Sequence, residues 1–155
     1  MNCVVVVDAW KHCEQEDLDL FPWLEKETKL FGSFLDLQLS NIKQKYNYDI
    51  IHCASGLELM DEIQTRDLVV NKITEIPNYD YYYFCGFHLG RCINTRINNL
   101  NKPNCGIVYN LSMVFPEDSY SMVIEKYSDN YMYSYNKGFE KCIINDLWFQ
   151  QYNKQ

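Results

Sequence analysis

The apolar and polar positions along this chain switch repeatedly between short continuous apolar runs and stretches with helical spacing. Asn2–Asp8 reads as a buried strand, a run of valines closed by a carboxylate. Residues 9–32 are acidic and aromatic with Pro22 and Gly32, and read as a loop holding a short helical piece. From Ser33, a candidate N-cap, Phe34, Leu35, Leu37, Leu39, Ile42 and Tyr46 follow the spacing of an amphipathic helix. Tyr48–Cys53 reads as a second strand, Gly56–Thr65 as a short helix and Asp67–Lys72 as a third strand ending on a lysine. Pro77-Asn78 breaks the chain before a fourth strand, Tyr79–Cys85, and a helix follows from about Leu89 to Leu100. Lys102-Pro103-Asn104 turns the chain into a fifth strand, Cys105–Leu111. Beyond it the pattern predicts a helix near Pro116–Ser121, no clear period through the tyrosines at 127–135, and a final helix near Gly138–Trp148.

Strands alternating with helices predict an α/β fold. Right-handed crossovers make it a three-layer, doubly wound sandwich with a mainly parallel sheet of five or six strands in the order 3-2-1-4-5. That order sets the first and fourth strands side by side at the switch point, where doubly wound sheets bind ligands beyond the carboxyl ends of their strands. A length of 155 residues suits one domain, 1–155, with 113–155 a less regular helical and aromatic extension.

Composition narrows the partners. A net charge of −7, with no dense stripe of lysine and arginine, argues against nucleic acid. Cys3–Val7 is too short for a signal sequence and runs straight into Asp8, and no apolar stretch is long enough to span a membrane. The seven cysteines are scattered without a CxxC pair, which suits reduced thiols in a cytoplasmic protein. The frequent tyrosines and asparagines suit an AT-rich genome, a bacteriophage or low-GC bacterium among them. The aromatic C-terminal third points to a homo-oligomer surface or a pocket lid.

One of those cysteines stands apart. Cys92 follows Gly86 by six positions, where the strand pattern gives way to a helix. A thiol in a first helical turn meets unpaired N–H groups at the positive end of the macrodipole, which favours the thiolate. Asp8 and Lys72 also fall at strand ends on the same edge of the sheet. Asp8 is a candidate base, Lys72 a candidate cation for the thiolate, and the N–H groups around Gly90–Cys92 a candidate oxyanion hole.

Val4–Asp8, Leu68–Lys72 and Gly86–Thr95 resemble, in order, the three signature segments of the isochorismatase-like cysteine hydrolases. That family includes nicotinamidases, carbamoylsarcosine-type amidases and isochorismatases. The likeness covers roughly residues 2–112 as topology. It implies Asp8 as general base, Lys72 as thiolate partner and Cys92 as nucleophile on an amide or similar carbon. It also implies a cis peptide bond before the position of His88 or Leu89.

The chain departs from the family in three respects. The segment between Lys72 and Gly86 is shorter, so that a wall of the pocket is open or completed by a partner subunit. Leu89 stands where the family carries threonine, and Arg96 and Asn99 where it carries small residues. The nicotinamidase Asp-x-His cluster has no counterpart near His52, so neither a metal nor another cofactor is expected.

Further residues are candidate contacts to a small-molecule ligand: Trp10, His52, His88, Leu89 and Arg91. Trp10 serves equally as an anchor packed on the sheet, and His88 as a hydrogen-bonding turn residue. His52-Cys53 opens a segment like a cysteine-phosphatase loop, but Leu59 occupies the position that needs arginine and Glu58 would repel a phosphate. The leading reading is a hydrolase of a C–N or related bond in a small molecule. The alternatives are an inactive protein of that fold that binds a ligand or a protein, and a purely structural interaction protein.

Overall fold

The computed structural model describes residues 1–126, 132–135 and 138–141. Its strands are β1 (Cys3–Val7), β2 (Asp49–Cys53), β3 (Leu68–Val70), β4 (Tyr82–Phe87), β5 (Cys105–Met113), β6 (Met132–Tyr135) and β7 (Phe139–Lys141). The helices are α1 (Gln15–Leu20), α2 (Leu24–Tyr46), α3 (Cys92–Leu100) and α4 (Tyr120–Lys126), with one 3-10 turn at Ile73–Glu75. The strands form one sheet in the order β3-β2-β1-β4-β5-β6-β7. The first six pair in parallel and β7 runs antiparallel along the β6 edge. The doubly wound α/β architecture and the 3-2-1-4-5 order are as the sequence pattern predicts, and β6 and β7 extend the sheet.

The valine run of β1 is fully buried because both its faces are covered. Successive side chains of a strand point to opposite faces. Val4 and Val6 accordingly join the core under α2, with Leu35, Leu39 and Ile42. Cys3, Val5 and Val7 face the other core, with Ile93, Ile97 and Leu100 of α3 and Ile124 of α4. The tyrosines at 81–83 are packing residues, as their alternation predicts. Tyr81 and Tyr133 share a hydroxyl–hydroxyl bond of 2.7 Å, and the rings of Tyr83 and Phe139 stack at 4.1 Å.

Several sequence-predicted boundaries shift. Helix α2 begins at Leu24 rather than Ser33 and passes through Gly32, where the missing side chain makes room for the Met60 sulfur. Gly56–Thr65 is not a helix. Its backbone is drawn out against the segment after β1, with Lys11 N–H donating to Glu58 O, Met60 N–H to Ala9 O, and Trp10 bridging to Leu59. Of the apolar positions assigned to that helix, Leu59, Met60 and Ile63 bury their side chains and Leu57 is exposed. Strand β4 runs on through Gly86 to Phe87, and α4 starts at Tyr120 rather than Pro116.

In the C-terminal region, the aperiodic tyrosines include strand β6, held by Asn110: its Nδ2 donates to Tyr135 O and its Oδ1 accepts from Tyr135 N–H, both at 2.8 Å. Where a last helix is predicted from Gly138, residues 139–141 form β7, and 142–155 lie outside the described residues. No helix among the described residues is long and apolar enough to cross a membrane.

Candidate active site

Strands β1 and β4 lie side by side in register, Val7 opposite Gly86, so the residues that follow each strand emerge together. Gly86 makes this approach possible. Its φ is +109°, and a Cβ there would stand 2.6 Å from the Val7 carbonyl oxygen and 2.8 Å from the Val7 nitrogen. Only glycine fits. Past β1, Asp8 takes a left-handed conformation (φ 51°), one that aspartate tolerates better than most residues. Past β4, the Phe87–His88 peptide bond is cis, where the resemblance to the cysteine hydrolases set it.

Cys92 opens α3, and Arg96, four residues on, shares its helix face. Asp8 is buried, and its Oδ1 accepts a hydrogen bond of 3.2 Å from Ser55 Oγ. Ser55 Oγ in turn accepts from Arg96 Nη2 at 2.7 Å, and the same nitrogen lies 3.6 Å from Asp8 Oδ2. Guanidinium, hydroxyl and carboxylate thus form a short relay across the ends of β1, β2 and α3. Among the described residues, Asp8 Oδ2 has no partner within hydrogen-bond distance, Arg96 being its ion-pair neighbour.

The electrostatics differ from a simple helix-dipole picture. Burial pushes the Asp8 carboxyl above its ordinary value, against the lowering effects of Arg96, Cys92 and Ser55. Burial and then the adjacent Asp8 carboxylate push the Cys92 thiol upward, with Glu14 adding to the rise and Arg96 opposing it. Both shifts run against the helix position: the surroundings of Cys92 favour the neutral thiol, where the first helical turn favours the thiolate. Desolvation and a nearby negative charge outweigh the dipole.

Asp8 and Cys92 open into one cavity of about 250 Å³, whose walls include Trp10, Leu24, Thr28, Phe87 and Phe115. Trp10 both lines the cavity and anchors its loop, donating from Nε1 to Ala54 O at 2.9 Å. His88 also lines it, next to the Phe115 ring. Burial depresses its imidazole to about 4, so it is neutral near pH 7, and its Nε2 has no partner. Arg91 lines it too, bound to Asp118 at 2.8 Å and lying 4.2 Å over the Phe115 ring. The walls of the cavity thus come from residues between Trp10 and Thr28, from the segment Phe87–Cys92 and from Phe115.

Three sequence-predicted site residues lie elsewhere. Lys72 is exposed and lines a separate depression with Ser55, Asn71 and Arg96, on the β3 side of the relay. No described carboxylate pairs with it, and the cation beside Asp8 is Arg96. His52 is fully buried, its ring bonded to Thr65 O at 3.2 Å and its pKa depressed to about 4 by burial. Leu89 is a core residue with no exposed surface.

The expected oxyanion hole is narrower than Gly90–Cys92. Gly90 N–H donates to Asn94 Oδ1 at 2.7 Å and Arg91 N–H to His88 O at 3.1 Å, so only Cys92 N–H is without a partner among the described residues. Sequence reasoning missed Ser55 and the role of Arg96. The i, i+4 spacing of Cys92 and Arg96 on a helix was the available signal.

The six described cysteines are free thiols. Among the described residues no group of three or more His, Cys, Asp or Glu side chains could hold a metal ion. Compared with protein-family models, curated proteins and solved structures, the chain finds no match.

Proposed function

We propose that this chain is a cysteine hydrolase of the isochorismatase-like type, cleaving a C–N or related bond in a small molecule. One observation carries the proposal: the Cys92 thiol, at the start of α3, faces a buried Asp8 carboxylate at a cavity they both line, with Arg96 and Ser55 holding that carboxylate. In this reading Asp8 takes the thiol proton as Cys92 Sγ attacks the carbonyl carbon, and Cys92 N–H donates to the developing oxyanion. The C–N bond breaks, Asp8 returns the proton to the departing amine, and a thioester is left on Cys92. Asp8 then deprotonates water, which attacks the thioester to release the acid and regenerate the thiol. An Asp8 carboxyl raised by burial is better matched to a proton it must both accept and return.

Free thiols suit a reducing compartment, and we place the enzyme in the cytoplasm as a homo-oligomer acting without a cofactor. The test is intact-protein mass spectrometry of acid-quenched mixtures with a panel of small amides. An acyl adduct mapped to Cys92 and absent in Cys92→Ser is expected. Turnover that survives in Cys92→Ser would overturn the mechanism. The displacement of Lys72 from the thiol favours a second reading, a silent ligand-binding relative, which requires ligand binding with no turnover of any amide.

A further inference from the structure

The charges around the cavity are lopsided. Asp8, Glu14 and Asp17 line it, and the lining cations are Arg91 and, when protonated, His12. Arg91 is already engaged: its Nε and Nη2 lie 2.8 and 3.4 Å from the Asp118 carboxylate, and Glu117 stands 4.0 Å away. His12 is bonded to Glu25 at 3.1 Å. Arg96 is committed to Ser55 and Asp8. Glu14 is exposed at the start of α1, where its side chain caps no backbone group, and neither it nor Asp17 is in a salt bridge with a described residue, although the Asp17 charge acts on Arg91. Deeper in, the buried Asp8 Oδ2 has no hydrogen-bond partner among the described residues, Arg96 being its ion-pair neighbour.

Between these two ends the walls are the rings of Trp10, Phe87 and Phe115. Asp8 is held by Arg96, which leaves Glu14 and Asp17 as the carboxylates that attract cations and repel anions at the cavity, and aromatic walls suit an ammonium or guanidinium group. The volume, about 250 Å³, lies below the range of roughly 300–1,000 Å³ that holds drug-sized ligands.

Resting on the hydrolase reading, we propose that the substrate is a small amide carrying a positive charge, an ammonium or guanidinium group. Glu14 and Asp17 receive that charge at the mouth, and the amide carbon lies against Cys92. A carboxylate-bearing amide of equal size is rejected by the same two side chains.

The test compares three small amides, the isosteric pair β-alaninamide (cationic) and butyramide (neutral) and the somewhat larger succinamate (anionic), on the wild type and on Glu14→Gln/Asp17→Asn. We expect kcat/KM to fall in that order. We also expect the cationic-to-neutral ratio to drop at least about tenfold in the double variant and to shrink with added salt, as mouth charges are screened. An unchanged ratio, or a preference for succinamate, overturns the inference and leaves the hydrolase reading intact.

Binding to Cys92→Ser, measured by NMR titration with propylammonium and with butyrate, separates the two claims. If no amide is turned over but propylammonium binds in a Glu14/Asp17-dependent way, the hydrolase reading fails and the charge selection stands. Binding of neither ion, or of butyrate alone, overturns the charge selection.

Discussion

Arg96 Nη2 lies 3.6 Å from Asp8 Oδ2 and reaches the same carboxylate a second time through the Ser55 hydroxyl. The cation beside the Asp8 carboxylate therefore comes from the helix that bears Cys92, rather than from Lys72, two residues beyond β3.

Arg96→Ala removes an influence that lowers the Asp8 carboxyl. We expect kcat/KM to fall about 10²-fold, the scale of losing one positioned electrostatic partner. We also expect the acid limb of the pH–rate profile to move to higher pH. Lys72→Ala should change kcat/KM by no more than about twofold, as for an exposed charge outside the relay. Equal losses in the two variants would refute the placement of the cation.

Asp8→Asn should act in opposite directions on two rates at Cys92. The Asp8 carboxylate raises the thiol, so its removal should speed alkylation by iodoacetamide near pH 7.5, read by peptide mass spectrometry. Hydrolysis should fall about 10²–10⁴-fold with the loss of the general base. The variant should not be less stable at pH 7. A carboxyl raised in the folded state contributes stability below about pH 4, and that stability is lost as pH rises through the folded value. Slower alkylation in Asp8→Asn would contradict the pairing.

His52 gives stability a pH dependence of the opposite sign. It is neutral and buried in the folded protein, with a pKa near 4 against 6.5 when free. Between those values the unfolded chain takes up a proton that the folded chain does not. Stability is therefore retained above about pH 6.5 and declines toward pH 4, by at most about 1.4 kcal/mol per pH unit. Urea unfolding across this range should show that slope in the wild type and a shallower one in His52→Gln. Identical slopes would mean that His52 is protonated in place.

Gly86→Ala tests the junction of β1 and β4. The added methyl would meet Val7 backbone on a strand in the middle of the sheet, and the backbone is already left-handed there. We expect a loss of about 3 kcal/mol or more. Cooperative unfolding at an unchanged urea midpoint would show that the two strands can part without cost.

Much of this architecture was legible in the chain because each strand buried on both faces reads as an apolar run, and β1, β2 and β5 do so plainly. The segment 56–65 misled because its apolar spacing fits a helix, while its backbone bonds go to residues 9–11, a long-range choice that local periodicity does not encode. Gly32 and Ser33 looked like a boundary, yet α2 passes through them because Met60 needs the space. At the site, Asp8 and Cys92 were placed together by strand order and by the strand-to-helix change after Gly86, reasoning that also named Lys72, which lines a different depression. Arg96 did not, since its partner Ser55 lies in a turn whose position depends on how β2 ends. His52 fell at a strand end but turned inward, a matter of face that one residue of register decides, and Leu89, read as the start of a helix, lies in the core before α3 begins.

Cys92 and Arg96 stand one helical turn apart on α3, and this gives the site a single mechanical coordinate. A small tilt of that helix carries sulfur and guanidinium together, so that their spacing is inherited from helix geometry and only their joint distance to Asp8 is adjustable. Neither residue belongs to β3 (Leu68–Val70), so a change along that edge of the sheet leaves the spacing of sulfur and guanidinium as it is.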